Sequence, residues 1–405
     1  MDEKIFVIEK DDVNERLDVF LTQKIEEAGY KDEVRRRTGL TLSPFFSAAK
    51  YGWAIKHIPE AAAAKKRGSL CCGTIDSWLL FKLTGAFKTD YSNAGRTQLL
   101  DLETCAWDKE LAEVFGLDTG CLPEICMSDS LFGKTDLNGL LPNPVPVHGV
   151  MGDSHAALFG NQCFEPFTAK ATYGTGSSVM MNAGAERPDP GAGVSACLAW
   201  GMGNKKIYAI EGNINYSGAV IKWLAEDIGL IPDAKSAGAI ARSVPDTGGV
   251  YLVPAFSGLG APYFISEARA AFVGMNRATK KAHLVRAAEE CIAYQIRDAA
   301  EAINNSAGRP LSVLRADGGA TRDGFLMQFQ ADILNIPVEI NQTEELSGFG
   351  AAACAAVGAG LASAGDIFSM QAQRGRAEPM MDTAARESLY AGWKRAVNSV
   401  CVNLK

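Results

Sequence analysis

No uninterrupted apolar run in the 405-residue chain approaches the roughly 20 residues a membrane-spanning helix needs, and the opening MDEKIFVIEKDD lacks the apolar core of a signal peptide. A soluble, cytoplasmic protein without a membrane role is the expectation. Long basic runs are missing as well: 40 Lys and Arg against 47 Asp and Glu leave a net charge of −7, which disfavours sequence-independent binding of nucleic acid and favours a small-molecule partner. The ten cysteines include no repeated Cys-x-x-Cys pair, so neither a zinc site nor a disulfide framework is suggested, and most thiols read as small buried hydrophobes. The adjacent Cys71 and Cys72 cannot both ligate one metal easily. Low-complexity tracts and short-period repeats are absent too.

What is present is enough apolar material, 47% of residues, for sizeable cores, and enough length for two domains of about 100–200 residues each. The most informative stretch is Ala169–Ala183, AKATYGTGSSVMMNA. It reads as two short strands, Lys170–Tyr173 and Ser178–Asn182, joined by Gly174-Thr175-Gly176. The glycines can take positive φ, which leaves the Thr175 N–H and hydroxyl uncovered at a tip that can receive a phosphate oxygen. Upstream, Val145–Asp153 is an apolar run expected to be a strand that ends in a carboxylate, before the alanine-rich segment His155–Gly160.

The rest alternates strands with helices, which predicts a layered α/β fold. Lys4–Glu9, Lys206–Glu211, Leu311–Ala316 and Val338–Ile340 read as strands. Helices are expected over Asn14–Glu27, Leu42–Ile58 (Ser43 as N-cap, Pro44 in the first turn), Thr74–Thr84 closing at Gly85, and Ala106–Phe115. Further helices are expected over Gly218–Asp227, His283–Ile303, Arg322–Leu334 and Ser347–Gly360, the last rich in small residues that suit close packing.

Together GDSHAALFG (152–160) and ATYGTGSSVMMNAG (171–184) resemble the centre of the FGGY carbohydrate kinases, and within them the glycerol kinases. The blocks TGLTLSPFFSAAKYGWAIKH (38–57), GTIDSWLLFKLTG (73–85), GVYLVPAFSGLGAPY (249–263) and DGGATRDGFLMQFQADIL (317–334) extend that resemblance along most of the chain. It implies an actin-like (ribonuclease H-like) ATPase fold of two domains. The expected divisions are a divergent segment 1–30, a remnant of the N-terminal substrate domain over 31–160, and a C-terminal nucleotide-binding domain over 161–405. Members carry, ahead of TGLTLSPFFS, a strand with an acidic residue, a Gly-Thr-rich phosphate loop, and an Arg-Glu pair with a tryptophan; none has a counterpart here, so the first domain is expected to be incomplete and to leave apolar surface uncovered.

The resemblance assigns roles residue by residue. Asp153 falls at the position of the catalytic base, which takes the proton of the attacking hydroxyl. Gly174, Thr175 and Gly176 match the phosphate hairpin, Gly218 and Lys222 a nucleotide-contacting pair in which Lys222 replaces glutamine, and Gly319 and Asp323 the adenosine pocket, where an amide is usual at position 323. On the substrate side Phe45 replaces a tyrosine, Ser154 a glutamine, and Ser178 an aromatic residue. His155, beside the acid, reads as a packing residue. The implied reaction transfers a phosphoryl group from ATP, with Mg²⁺, to glycerol, giving glycerol 3-phosphate. Two alternatives stay open: a kinase for another polyol or sugar such as a pentulose, motivated by Phe45, Ser154 and Ser178, and a non-catalytic nucleotide-binding remnant. Family members often form dimers or tetramers.

Overall fold

Strands that alternate which face they bury need cover on both sides, and the hairpin anticipated at Ala169–Ala183 meets that need at the centre of a seven-stranded sheet. The computed structural model describes residues 17–343, 345–371 and 375–402. From one edge to the other the strands run Gly375–Ala377, Val338–Ile340, Leu314–Asp317, Ala169–Tyr173, Ser177–Gly184, Lys205–Ile214 and Ser195–Met202. Val338–Ile340, Leu314–Asp317 and Ala169–Tyr173 are mutually parallel, while the other pairings are antiparallel. In Ser177–Gly184, Val179 and Met181 join one core and Met180 the other, the two-residue period of a strand covered on both faces. The 27-residue helix Lys281–Ala307 buries Val285, Ala288, Ile292, Ile296 and Ile303 on the first side. Asp153–Gly160 and Leu346–Gly358 cover the other with Leu158, Phe159, Ala353 and Cys354. This mixed α/β sheet accords with the expected fold class.

Those last two helices pack backbone to backbone. A Cβ on Gly350 would overlap the Ala156 carbonyl oxygen, and one on Gly160 would lie 2.6 Å from the Leu346 oxygen. The small-residue run anticipated at 347–360 thus has a steric reason. Gly350→Ala is expected to destabilise the protein by about 1–3 kcal/mol, because the backbones must separate; an unchanged thermal midpoint would contradict this packing.

Ahead of Asp153 the chain builds a smaller core from Ile25, Val34, Leu42, Ala48, Leu99, Leu111, Phe115 and Leu122. It holds the helices Leu17–Glu27, Lys31–Thr38, Ser47–His57, Pro59–Lys66 and Ile75–Thr84 and one parallel strand pair, Lys88–Asp90 with Glu124–Cys126. Helix Ile75–Thr84 leaves Ile75, Trp78, Leu79 and Phe81 exposed.

Several boundaries differ from expectation. The strand over Val145–Asp153 covers only Val145–Val147, and Asp153 is instead the first residue of a helix: Gly152 is its extended N-cap, and the alanines that follow are strong helix formers. The helix expected from Leu42 begins at Ser47: Pro44 and Phe45 form a turn in which the Ser43 hydroxyl accepts from the Phe45 N–H, 3.2 Å. Pro59, just past the expected end of that helix, starts the next one at its first position, where proline is tolerated. Ala106–Phe115 splits into a two-residue strand and the helix Lys109–Val114 capped by Asp108. Leu311–Ala316 shortens to Leu314–Asp317, and Arg322 belongs to a tight turn ahead of helix Gly324–Leu334. The strand expected at Lys4–Glu9 and the first three residues of the helix expected from Asn14, 14–16, lie outside the described residues.

Candidate active site

The hairpin forms as expected, with Tyr173 opposite Ser177, but its glycines serve a different purpose. Neither Gly174 nor Gly176 takes a positive φ. A Cβ on Gly176 would overlap the Ile214 carbonyl oxygen, so glycine is required there by close approach. Helix Gly218–Glu226 drives its N-terminus against the same tip: Ser217 and Ala219 N–H donate to the Thr175 oxygen at 2.9 and 3.1 Å, and Gly218 N–H to the Gly174 oxygen at 2.9 Å. The hairpin carbonyls are thereby bonded, and Thr175 at the tip is exposed. Lys222, one turn on, is 67% exposed and pairs with Glu226 at 3.5 Å, away from the tip.

A second loop closes on the hairpin. Gly318, with φ 97°, has no room for a Cβ against the Tyr173 carbonyl, so Asp317-Gly318-Gly319 lies beside the end of Ala169–Tyr173. Asp323 is committed to its helix: its Oδ1 accepts from Phe325 N–H at 2.7 Å, and Arg242 stands at 3.9 Å. The buried Glu289 faces this pair, and burial, with the Asp323 carboxylate next, pushes its carboxyl up to about 8.

An open pocket of about 270 Å³ lies at the hairpin, lined by Ser154, Thr172, Gly174, Gly176, Ser177, Ser178, Asn213 and Ile214. Four of the residues anticipated from sequence, on both the substrate and the phosphate side, therefore share one cavity. Asp153, adjacent to Ser154, is exposed at a helix N-terminus; its Oδ1 accepts from Ser154 N–H at 2.7 Å, which leaves Oδ2 for a ligand. Phe45 does not line this pocket. It is 74% exposed in the Pro44–Phe45 turn, edge-on to Phe46, whose ring lies 5.4 Å from the Arg96 guanidinium.

Beneath the pocket runs a buried polar chain that sequence reading did not anticipate. Lys170 donates to the Thr172 and Ser178 hydroxyls at 3.0 and 3.1 Å, Ser178 donates to Glu211 at 2.8 Å, and Arg96 pairs with Glu211 at 3.0 Å. Burial lowers the pKa of Lys170, opposed by Asp317 and Glu211. Burial would raise Glu211, but Arg96, with Lys170 and the Ser178 hydroxyl, outweighs it and holds the carboxyl below its ordinary value. On the far side Asn161 donates to Asp317 at 2.6 Å. The signal was a lysine in the middle of an otherwise apolar strand. His155 is buried against Cys197, 3.4 Å, and burial lowers its pKa to about 4, so it sits neutral in the core. Among the described residues no cluster of three or more His, Cys, Asp or Glu side chains could hold a metal, and no helix is long and apolar enough to cross a membrane.

Comparison with known proteins agrees with this architecture. Models of the N-terminal and C-terminal domains of the FGGY family of carbohydrate kinases match residues 19–160 and 169–359. A glycerol kinase of Carboxydothermus hydrogenoformans is 44% identical over 380 residues, 93% of this chain and 76% of that protein, and glycerol kinase 1 of Thermotoga maritima is 44% identical over 384 residues, 94% and 78%. The structure of Plasmodium falciparum glycerol kinase with ADP superposes with a TM-score of 0.87 at 32% identity, covering 94% of this chain and 77% of that one. Ligand-bound xylulose kinase from Lactobacillus acidophilus shares the fold, TM-score 0.84 at 21% identity. A mixed sheet carrying a glycine-cornered hairpin, with a carboxylate at the helix opening beside it, is thus matched by both domain models and by relatives along nearly all its length, and the chain belongs to the FGGY family of carbohydrate kinases.

Proposed function

We propose that the chain phosphorylates the terminal hydroxyl of glycerol with ATP, giving glycerol 3-phosphate and ADP. The observation that carries this reading is the pocket in which Ser154 and Ser178 meet Gly174 and Gly176, with Asp153 at its edge. Asp153 Oδ2 takes the proton as the hydroxyl oxygen attacks the γ-phosphorus in line, and the bond to the ADP oxygen breaks. N–H groups at the Thr175 tip hold phosphate oxygens, and Asp317-Gly318-Gly319 with Asp323 borders the nucleoside. Mg²⁺, when bound, would neutralise phosphate charge; such an ion keeps several waters and would be held mainly by the phosphates themselves, with Asp153 at most a minor contributor, so no carboxylate cage is needed. Ten cysteines without a disulfide fit a reducing cytoplasm, where ATP is plentiful.

Glycerol and a panel of longer polyols titrated calorimetrically into the chain loaded with MgADP test the reading. Heat of binding for glycerol, with the strongest turnover for it in a coupled assay, is the expected result; nucleotide binding with no polyol binding overturns it. One observation favours a second substrate, a longer polyol or sugar: Ser154, Ser178 and Asn213 give the pocket wall hydrogen-bonding groups suited to further hydroxyls. A pentulose or tetritol turned over better than glycerol would select that reading.

A further inference from the structure

Cysteine is scattered through the chain, yet two thiols far apart in sequence meet. Cys72 lies in the segment ahead of helix Ile75–Thr84, and Cys121 closes the short turn Thr119–Cys121 ahead of strand Glu124–Cys126. Cys72 N–H donates to the Cys121 carbonyl at 2.7 Å, which sets the two backbones side by side at the spacing a disulfide spans. Both residues belong to the same small core, and the Cys121 thiol reaches the Asp118 carbonyl at 2.8 Å. Interaction with Cys72 brings the Cys121 thiol down to about 7, while interaction with Cys121 and burial push Cys72 up. Lys65 and Cys71 face Cys72, Asp118 faces Cys121, and Tyr51 and Asp76 lie near the pair. Each cysteine keeps 8% of its surface open, enough for a small oxidant and too little for a bulky one.

We propose that Cys72 and Cys121 are a redox modification site at which a small hydroperoxide converts the thiol pair into a disulfide. The Cys121 thiolate attacks the outer peroxide oxygen; the S–O bond forms, the O–O bond breaks, and the peroxide is reduced to an alcohol or water. Cys72 then attacks the sulfenic sulfur; the S–S bond forms, and the hydroxyl leaves as water with the Cys72 proton. The bridge closes a ring of roughly 50 residues, which restricts the unfolded chain and ties together the segments leading into the parallel strands Lys88–Asp90 and Glu124–Cys126.

Treating the reduced full-length chain with hydrogen peroxide, then mapping peptides by mass spectrometry and following thermal unfolding, tests this. The expected product is a Cys72–Cys121 linked peptide lighter by two hydrogens, with a midpoint raised by several degrees and restored by dithiothreitol. Cys71→Ser retains both effects, and Cys121→Ser and Cys72→Ala lose both, each showing no rise on oxidation above its own untreated midpoint. A Cys71–Cys72 bridge, disulfides between copies through Cys71, or sulfinic acid at either residue without the linked peptide overturns the proposal. The linked peptide is read on the unaltered chain, so it does not depend on any variant folding.

Discussion

Asp153→Asn is expected to lower kcat by about 10²–10⁴-fold while leaving MgADP affinity unchanged within about twofold. The substitution is nearly isosteric and keeps an Oδ1 acceptor for the Ser154 N–H, so helix Asp153–Gly160 should open as before. What it removes is the capacity to accept a proton. Steady-state kinetics at saturating glycerol and ATP, with calorimetric titration of MgADP as the control, separate the two effects. An Asn variant that keeps more than about a tenth of wild-type kcat would show that Asp153 is not the base. Loss of nucleotide affinity in step with kcat would make it a residue that shapes the site.

The second large effect concerns stability. Glu289 is buried against Asp323, and its carboxyl titrates near pH 8 in the folded chain against an ordinary value of 4.5. A folded-state value raised this way favours the folded state below the ordinary value, and that contribution is lost as pH climbs through 4.5 to 8, because the folded chain still holds a proton the unfolded chain has released. Above pH 8 the cost amounts to about 4–5 kcal/mol. Glu289→Gln keeps the shape and removes the titration, so the variant should match wild type near pH 5 and unfold several degrees higher near pH 8.5. Plotting the difference between the two proteins against pH cancels every other titrating group. A flat difference from about pH 5 to 8.5 would disprove the buried, protonated state.

The sequence disclosed the parts of the site that depend on backbone type and order along the chain. Gly174-Thr175-Gly176, Asp317-Gly318-Gly319 and the Gly85 helix stop announce themselves because few residues fit those turns. Helix Lys281–Ala307 is legible because its apolar spacing persists for about seven turns. Less legible was anything decided by a distant partner. Gly176 reads as a flexible corner until Ile214 is seen against it, and Asp153 reads as a strand end because nothing local marks where the run after Val147 stops being a strand. Strand Ser195–Met202 and helix Thr383–Val402 have no counterpart among the elements expected from the sequence. Lys170, Glu211 and Arg96 lie far apart in the chain and only the sheet brings them together.

Helix Asp153–Gly160 is clamped at its far end, where Asn161 meets Asp317 at 2.6 Å and Arg315 donates to the Asn161 carbonyl at 3.1 Å, and along its side by Leu346–Gly358. Its near end touches the preceding region through Ser92, whose hydroxyl accepts from Gly152 N–H at 2.8 Å. The Asp153 carboxylate and the Gly174–Gly176 hairpin therefore share one frame of reference, and Gly152 marks where that frame meets the preceding region. On the proposed mechanism, any displacement of the preceding region about Gly152 would leave the spacing of Asp153 and the hairpin unchanged and would shift only the groups ahead of Gly152.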